Sequence, residues 1–464
     1  MTPGTDGQTW LRSDRMLARS VAQPIQRFLH IEAAGGILLG AAALVALVWA
    51  NSPWSAAYRD VWTAELSVDL AGHVVTEDLR HWINDGLMAV FFFVLGLEIK
   101  QELTTGQLAS PRNAVVPAAG ALGGMVVPAL FYFAFNLGGP GVGGWGIPVA
   151  TDVAFALGVL ALLGNRVPSE LKVLLLALAI VDDIGAIILI AAFYSDGLDG
   201  RWAAVAALGL LLVAAAQRAG VRFLPVYVAL GIGVWFATFE SGIHATIAGV
   251  ALGLLTPARP LLPQADAERI AAELSTDTDV TATEVRDISF RLRESIPATE
   301  RLQDLLHPWT SYLIVPLFAL ANAGVAVSAD TLADAATSPV TIGVVAGLVL
   351  GKLVGIAGAI TLATRLGLGR LPEGITSRHV LGMAGVAGIG FTVSIFVAGL
   401  AFDDPDLTDQ AKIGVLAAST LAAALGSVIL RTTGRTPTGS RASDEQTRAR
   451  ASTAAPGRQA PQRS

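Results

Sequence analysis

The sequence contains no cysteine, so a disulfide framework and a thiolate metal site are both excluded. Charged residues are scarce: they make up 15% of the 464 residues, whereas 53% are hydrophobic and the mean hydropathy is +0.59. A typical soluble domain has about 25% charged residues, so a string of soluble domains is excluded. The formal net charge of −6 gives no indication of a nucleic-acid partner. The chain is instead predicted to be a membrane protein whose main partner is the lipid bilayer.

Apolar windows of about twenty residues predict twelve transmembrane helices, which we call spans 1 to 12. In chain order they cover 33–50, 84–103, 115–136, 146–164, 171–193, 202–217, 223–239, 243–256, 309–326, 340–363, 378–400 and 411–431. The predicted fold class is therefore an all-α polytopic membrane protein.

Four segments fall outside or interrupt the predicted membrane domain, which covers 31–431. Residues 1–30 carry four arginines but no apolar stretch, so they are predicted to be a cytoplasmic arm rather than a cleavable signal peptide. Residues 51–83 show partial alternation around a central turn, which predicts an exposed β-hairpin. Residues 257–308 are charged with helical periodicity and are predicted to be a cytoplasmic connection. Residues 432–464 are rich in Pro, Gly, Ser and Arg and are predicted to be disordered.

The lysines and arginines are distributed very unequally between the two sides of the predicted spans. Of the 31 cations, 26 fall on the side that carries both termini, 4 on the other side, and Lys352 inside span 10. By the positive-inside rule both termini are predicted to be cytoplasmic.

A charged residue at the centre of a membrane helix costs about 2.5–3.5 kcal/mol on insertion scales, so each one needs a physical reason. Asp182 and Asp183 occupy the middle of span 5, in LALAIVDDIGAIILI. Lys352 lies in the middle of span 10, and Asp152 lies near the start of span 4. Asp152 could be an interfacial residue, and Lys352 could form a structural ion pair with one aspartate. The second aspartate would then still lack a cationic partner.

Adjacent residues on a helix are about 100° apart, so Asp182 and Asp183 cannot face one partner equally. One can pair with Lys352 while the other faces a polar cavity. A carboxylate in that setting can hold either a proton or a small hard cation. Competition of this kind is the simplest physical basis for cation/proton exchange.

Spans 4 and 11 contain residues that interrupt helices. Span 4 carries Pro148 and Thr151, and span 11 reads GMAGVAGIGFTVSI, with Gly388 and Gly390 at its centre. Glycine in a membrane helix also serves close packing. However, the two segments lie in the middle of the triplets 3–5 and 10–12, and such matching positions indicate inverted-topology repeats with two discontinuous helices that cross near the bilayer centre.

Two of the buried charges would suit such a crossing. Half-helix N-termini carry partial positive charge and C-termini partial negative charge. Asp152 and Lys352 have the signs and the depth needed to offset them.

These residues lie in motifs that resemble the NhaA family of bacterial sodium/proton antiporters, itself an example of the inverted-repeat architecture. The motifs are WINDGLMAVFFFVLGLEIKQEL (82–103), PVATDVAFALGVLALLGNRVP (148–168), LALAIVDDIGAII (176–188), SGIHATIAGV (241–250), LHPWTSYLIVPLFALANAGV (306–325), GKLVGI (351–356) and GIGFTVSIFVAGLAF (388–402).

The resemblance implies a role for each buried charge. Asp183 would be the principal ligand of Na⁺, with Asp152 and Thr151 beside it at the crossing. Asp182 would pair with Lys352, and breaking that pair would release a proton. Exchange in the family is electrogenic, with Na⁺ or Li⁺ leaving, more protons entering, and no cofactor.

The resemblance also implies a regulatory set and a dimer. Asp85, Glu98, Glu102 and His244 match a cytoplasmic funnel and pH-response positions, and the 51–83 hairpin matches one through which family members dimerise. The sequence departs from the family pattern at Gln101 and Gln303 and in the long, acidic 257–308 connection. These departures concern the pH threshold of activation rather than the transport chemistry.

Three other classes also bury charges in a membrane. A membrane aspartyl protease would carry YD and GxGD motifs, which are absent from the sequence. A retinal pump would carry its lysine on the last of about seven helices, whereas Lys352 lies on span 10 of twelve. A Na⁺-coupled organic anion symporter of the same fold remains the alternative, and it would be expected to carry more polar side chains at the crossing.

Overall fold

The computed structural model describes residues 34–70, 73–195, 197–221, 223–260, 288–290 and 292–433. The predicted arm 1–30, the tail beyond residue 433 and most of the 257–308 connection lie outside the described residues.

The described residues are mostly helical, and every predicted span coincides with a helix or an interrupted helix. The helices of the spans are Ala34–Ala50, Leu79–Thr104, Pro111–Asn136, Pro140–Val149 with Val153–Leu162, Ser169–Phe193, Gly200–Arg218, Leu224–Glu240, Thr246–Leu255, 298–322, Pro339–Arg365, Ser377–Val386 with Phe391–Ala401, and Pro405–Thr432. Shorter helices cover Ser55–Trp62, Gln107–Ala109, Gly164–Arg166 and Ala329–Thr337. The predicted all-α polytopic fold class is confirmed.

Length and composition alone identify fewer membrane-crossing helices than twelve. Among the described residues, six continuous helices are long and apolar enough, or up to nine segments if each of three bent pairs counts as one span. Leu224–Glu240 and Thr246–Leu255 are apolar but shorter.

Span 9 differs most from its predicted bounds of 309–326. Its helix begins at Ala298, directly after Pro297, and ends at Asn322. The first part is amphipathic, so a hydropathy window assigns it to the preceding connection. It continues into the span without a break, through a π-helical turn at Thr310–Ile314.

The segment between spans 1 and 2 forms a two-stranded antiparallel hairpin where the alternation predicts one. Strand β1 covers Glu65–Leu70 and β2 covers His73–Asp78, with Val68 opposite Val75. The Trp82 indole donates a hydrogen bond of 2.9 Å to the Leu66 carbonyl, so the hairpin is fixed to the start of span 2.

Glycines bring several spans into close contact, as expected where small residues let helix backbones approach. Span 2 packs on span 8 at Gly96, where an added Cβ would lie 3.2 Å from the Gly253 Cα. Span 3 packs on span 10, and an added Cβ at Gly124 would lie 2.8 Å from Ile356 Cγ1. These contacts hold spans 3 and 10 together around the segments that cross in the membrane.

Candidate functional site

Spans 4 and 11 are both interrupted, as predicted. Span 4 is a 3₁₀ segment, Pro140–Val149, followed after a 49° bend by Val153–Leu162; span 11 bends by 48° between Ser377–Val386 and Phe391–Ala401. The two linkers touch directly. The Asp152 backbone N–H donates to the Ile389 carbonyl at 2.7 Å, and the Thr151 hydroxyl donates to the Ala387 carbonyl at 2.9 Å.

Asp152 accepts hydrogen bonds at the N-termini of both second half-helices. Its Oδ1 accepts from the Phe155 N–H at 2.9 Å, so it caps Val153–Leu162. Its Oδ2 accepts from the Thr392 N–H at 3.1 Å and from the Thr392 hydroxyl at 2.6 Å, at the start of Phe391–Ala401. A carboxylate is well suited to this place because helix N-termini present unpaired N–H groups and partial positive charge.

The glycines at the crossing leave room for side chains of spans 10 and 12. An added Cβ at Gly388 would lie 3.1 Å from Ala422 Cβ, and one at Gly390 would lie 2.9 Å from Leu348 Cδ2. Pro148 is buried at the end of the 3₁₀ segment. All three residues predicted for the helix crossing therefore lie there.

Asp182 and Lys352 form a buried ion pair. The Lys352 Nζ lies 2.6 Å from Asp182 Oδ2, and both side chains have 0% exposure. Asp182 Oδ1 has no hydrogen-bond partner among the described residues. Breaking a buried pair by removing one partner costs about 3–5 kcal/mol, because the remaining charge is left uncompensated. Within the described ranges the Lys352 ammonium bonds to this carboxylate and not to a carbonyl of a half-helix C-terminus.

Asp183 is buried, with 6% exposure, but no hydrogen bond to its side chain is present in the described part of the chain. Its carboxylate interacts electrostatically with Asp182, Glu98, Asp152 and Lys352. Three of these neighbours are acidic and one is cationic. The site is therefore short of positive charge, and a proton or a bound cation at Asp183 would relieve the repulsion.

No group of three or more His, Asp or Glu side chains in the described ranges is arranged to hold a resident metal ion. A Na⁺ ion at Asp183 would be a transported substrate.

The residues predicted as one regulatory set lie in different places. Glu98 is near Asp183, and Glu102 accepts from the Gln107 and Leu108 backbone N–H groups. Asp85 lies thirteen residues before Glu98 on span 2, which is about 20 Å along a helix. The structure therefore does not bring Asp85 together with Glu98 and Glu102.

Asp85 and His244 instead lie at the hairpin end of the molecule. His81 Nε2 is 3.8 Å from Asp85 Oδ2, and the Trp235 indole donates to the Asp85 carbonyl at 2.8 Å. His244 interacts electrostatically with Asp85, and its Nε2 is hydrogen-bonded to the Tyr194 carbonyl.

The sequence reasoning missed two residues of the crossing. Thr392 bonds Asp152, and the buried Ser394 donates to the Ile147 carbonyl at 2.7 Å. Both lie in the GFTVS stretch after the glycines. A hydroxyl residue directly after a predicted helix break is a candidate capping or bridging group, and this is the signal that both residues carry.

Two crossed, broken helices with buried carboxylates and a buried lysine are typical of secondary transporters built from inverted repeats, and this protein is of that architectural class. The family model described as Na⁺/H⁺ antiporter 1 matches residues 26–430, and the chain belongs to this family.

Bacterial relatives extend over nearly the whole chain. The Na⁺/H⁺ antiporter NhaA 2 of Sorangium cellulosum is 48% identical over 437 residues, covering 91% of this chain and 93% of the relative. The Na⁺/H⁺ antiporter NhaA of Rhodopirellula baltica is 47% identical, covering 90% and 95%, and that of Janthinobacterium sp. is 44% identical, covering 92% and 96%. The resemblance read from the motifs is confirmed, and the protein is a multi-pass bacterial membrane protein.

Proposed function

We propose that the protein expels cytoplasmic Na⁺ or Li⁺ in exchange for external H⁺, and that it serves sodium and pH homeostasis. Exchange is electrogenic and activated by pH. The protein lies in the bacterial cytoplasmic membrane with both termini in the cytoplasm, and the unequal distribution of lysine and arginine supports that orientation.

The observation that carries this proposal is the unpaired carboxylate of Asp183 beside a complete Asp182–Lys352 pair. A pair that is already neutral needs no further ion. Asp183 needs one, and a proton and a small cation satisfy the same carboxylate in turn. Their competition links outward movement of the cation to inward movement of the proton.

Electrogenic exchange follows if the ion pair also takes part. When a cation binds Asp183, it adds positive charge beside Lys352. This repulsion weakens the Asp182–Lys352 pair, and the lysine can then release a proton. A proton from Asp183 and a proton from the pair would thus be exchanged for one monovalent cation, so that net charge crosses the membrane.

The polar groups at the crossing do not favour an organic anion as substrate. Thr151, Thr392 and Ser394 donate their hydroxyl hydrogens to Ala387, Asp152 and Ile147. They are therefore occupied by protein acceptors. A carboxylate substrate would also meet the negative charges of Asp152 and Asp183.

The test is ion-driven proton flux in proteoliposomes or inverted vesicles, with wild type, Asp183→Asn and the control Asp404→Asn. Asp404 is an exposed N-cap of span 12, and Asn caps a helix about as well as Asp. We expect Na⁺- and Li⁺-dependent flux in wild type and control and none in Asp183→Asn. A wild type without such flux refutes the proposed exchange, and flux in Asp183→Asn refutes the site.

A further inference from the structure

Span 10 changes its helical form directly before the buried lysine. Within Pro339–Arg365, the six residues Ala346–Gly351 form a π-helical turn, and the α-helix resumes at Lys352. The Lys352 backbone N–H donates to the Gly347 carbonyl, five residues earlier. Such a turn holds one residue more than the α-helix would. π turns of this kind are rare in proteins, and those that occur often lie at functional sites.

One face of this π turn packs against the prolines of spans 3 and 4. An added Cβ at Gly347 would lie 2.7 Å from Pro148 Cβ and 3.1 Å from the Pro128 carbonyl oxygen. One at Gly351 would lie 2.7 Å from Pro128 Cα. The wide turn is thus held between the proline inside span 3 and the break of span 4.

Another face of the π turn contacts the break of span 11. The Leu348 carbonyl lies against Gly388, and the Leu348 side chain lies against Gly390. The π turn therefore touches both interrupted spans, and the residue that follows it is the partner of Asp182.

We propose that the π turn Ala346–Gly351 is the device that releases Lys352 from Asp182: moving its extra residue past Lys352 breaks this ion pair during transport. The inference rests on the proposed exchange and assigns Gly347 and Gly351 as positioning residues for it.

Helix geometry explains how this movement would act. When the extra residue passes from the N-terminal to the C-terminal side of Lys352, Lys352 turns by about 100° around the helix axis and shifts by about 1.5 Å along it. The helix on either side keeps its place. The 2.6 Å contact of Nζ with Asp182 is then lost without displacement of the whole span. Rearrangement of the crossing would drive the change through Leu348, Gly388 and Pro148.

Deleting Leu350 tests the inference most directly. Its side chain is 49% exposed, and its removal takes the extra residue out while the flanking residues keep their orientation. Lys352 then stays on Asp182 and cannot be released. We expect a folded protein that Na⁺ still stabilises against thermal unfolding but whose exchange rate falls at least about tenfold, because a conformational step is blocked. Exchange at the wild-type rate would overturn the inference.

If the deletion variant does not fold, a pair of glycine variants tests the same inference about the π turn. Gly347→Ala crowds Pro148, whereas Gly358→Ala in the same helix adds a Cβ with nothing within 4 Å. We expect Gly347→Ala to lower kcat about tenfold with the KM for Na⁺ changed less than about twofold, and Gly358→Ala to match wild type.

If the wild type is active, either of two results would overturn the inference about the π turn and leave the proposed exchange intact. One is equal kcat in the two glycine variants. The other is a Gly347→Ala protein with a lower thermal midpoint but unchanged kcat per folded molecule, since this shows a packing role only. A wild type without Na⁺-dependent flux would overturn the proposed exchange and the inference with it.

Discussion

At the scale of single residues, the buried charges of this protein are not equivalent. Asp152 is held by three hydrogen bonds and Asp182 by an ammonium, whereas Asp183 has electrostatic neighbours but no hydrogen bond in the described structure. A group that is already satisfied gains little from binding an ion. We therefore propose that the free energy of ion binding is concentrated on Asp183.

The Asp182–Lys352 pair should contribute to the free energy of unfolding as well as to transport. We expect Lys352→Met to lower the free energy of unfolding by about 3–5 kcal/mol, because it leaves an unpaired buried carboxylate. The double variant Lys352→Met with Asp182→Asn removes both charges and should regain most of that loss. Thermal unfolding of the detergent-solubilised protein measures both changes in stability. A single variant as stable as wild type would contradict the pairing.

The sequence predicted the buried charges well because each one is anomalous within its own apolar segment. Asp182, Asp183, Asp152 and Lys352 were all identified in this way, and Lys352 does bond Asp182. Thr392 was not identified, because a hydroxyl in a membrane helix costs little and carries no such signal. Its partner Asp152 is 240 residues away in the chain, and only the folded crossing brings them together.

At the scale of elements, the interrupted spans were predictable and the π turns were not. Proline and clustered glycine weaken a helix wherever they occur, so the breaks of spans 4 and 11 follow from local sequence. The π turn at Ala346–Gly351 packs against Pro128 and Pro148, which are distant in the chain, and local sequence does not specify such contacts. Hydropathy also misplaced the start of span 9, because its first turns are amphipathic.

Close packing of spans 2 and 8 gives a prediction about glycine. An added Cβ at Gly96 would lie 2.7 Å from the Val250 carbonyl oxygen and 3.1 Å from Val250 Cα, so backbone would have to move. We expect Gly96→Ala to cost about 1–3 kcal/mol of stability, as overpacking does. Gly233→Ala in span 7 is the matched control, since its Cβ meets nothing within 4 Å. Equal thermal midpoints for the two variants would rule out this packing argument.

At the scale of the whole molecule, the hairpin presents apolar side chains and strand edges to its surroundings. Leu66 and Val74 are exposed large apolar side chains on β1 and β2. Within the described residues no third strand lies beside β1 or β2, and a strand edge without a neighbouring strand is a template for pairing with another chain. We propose that two copies of the protein associate through the 51–83 hairpin.

Deletion of residues 65–78 tests this association. The Leu79 N–H lies 3.0 Å from the Ala64 carbonyl, so a short linker can join the cut ends. We expect the variant to be monomeric by light scattering after size exclusion and to retain ion exchange, because the site lies within one chain. Thr76→Ala, which removes only the 2.8 Å contact with Ser67, should remain dimeric. A dimeric deletion variant would assign the interface elsewhere.

The capping of two half-helices by Asp152 also constrains how this chain can evolve. Gly390 occupies the N-cap position of Phe391–Ala401 and offers no side chain, so the second repeat relies on an acid of the first. The two repeats therefore differ in how the N-termini of their second half-helices are capped. A substitution at residue 152 would affect the capping of both half-helices, and an acid introduced at residue 390 would add a second negative charge beside the carboxylate that already caps both.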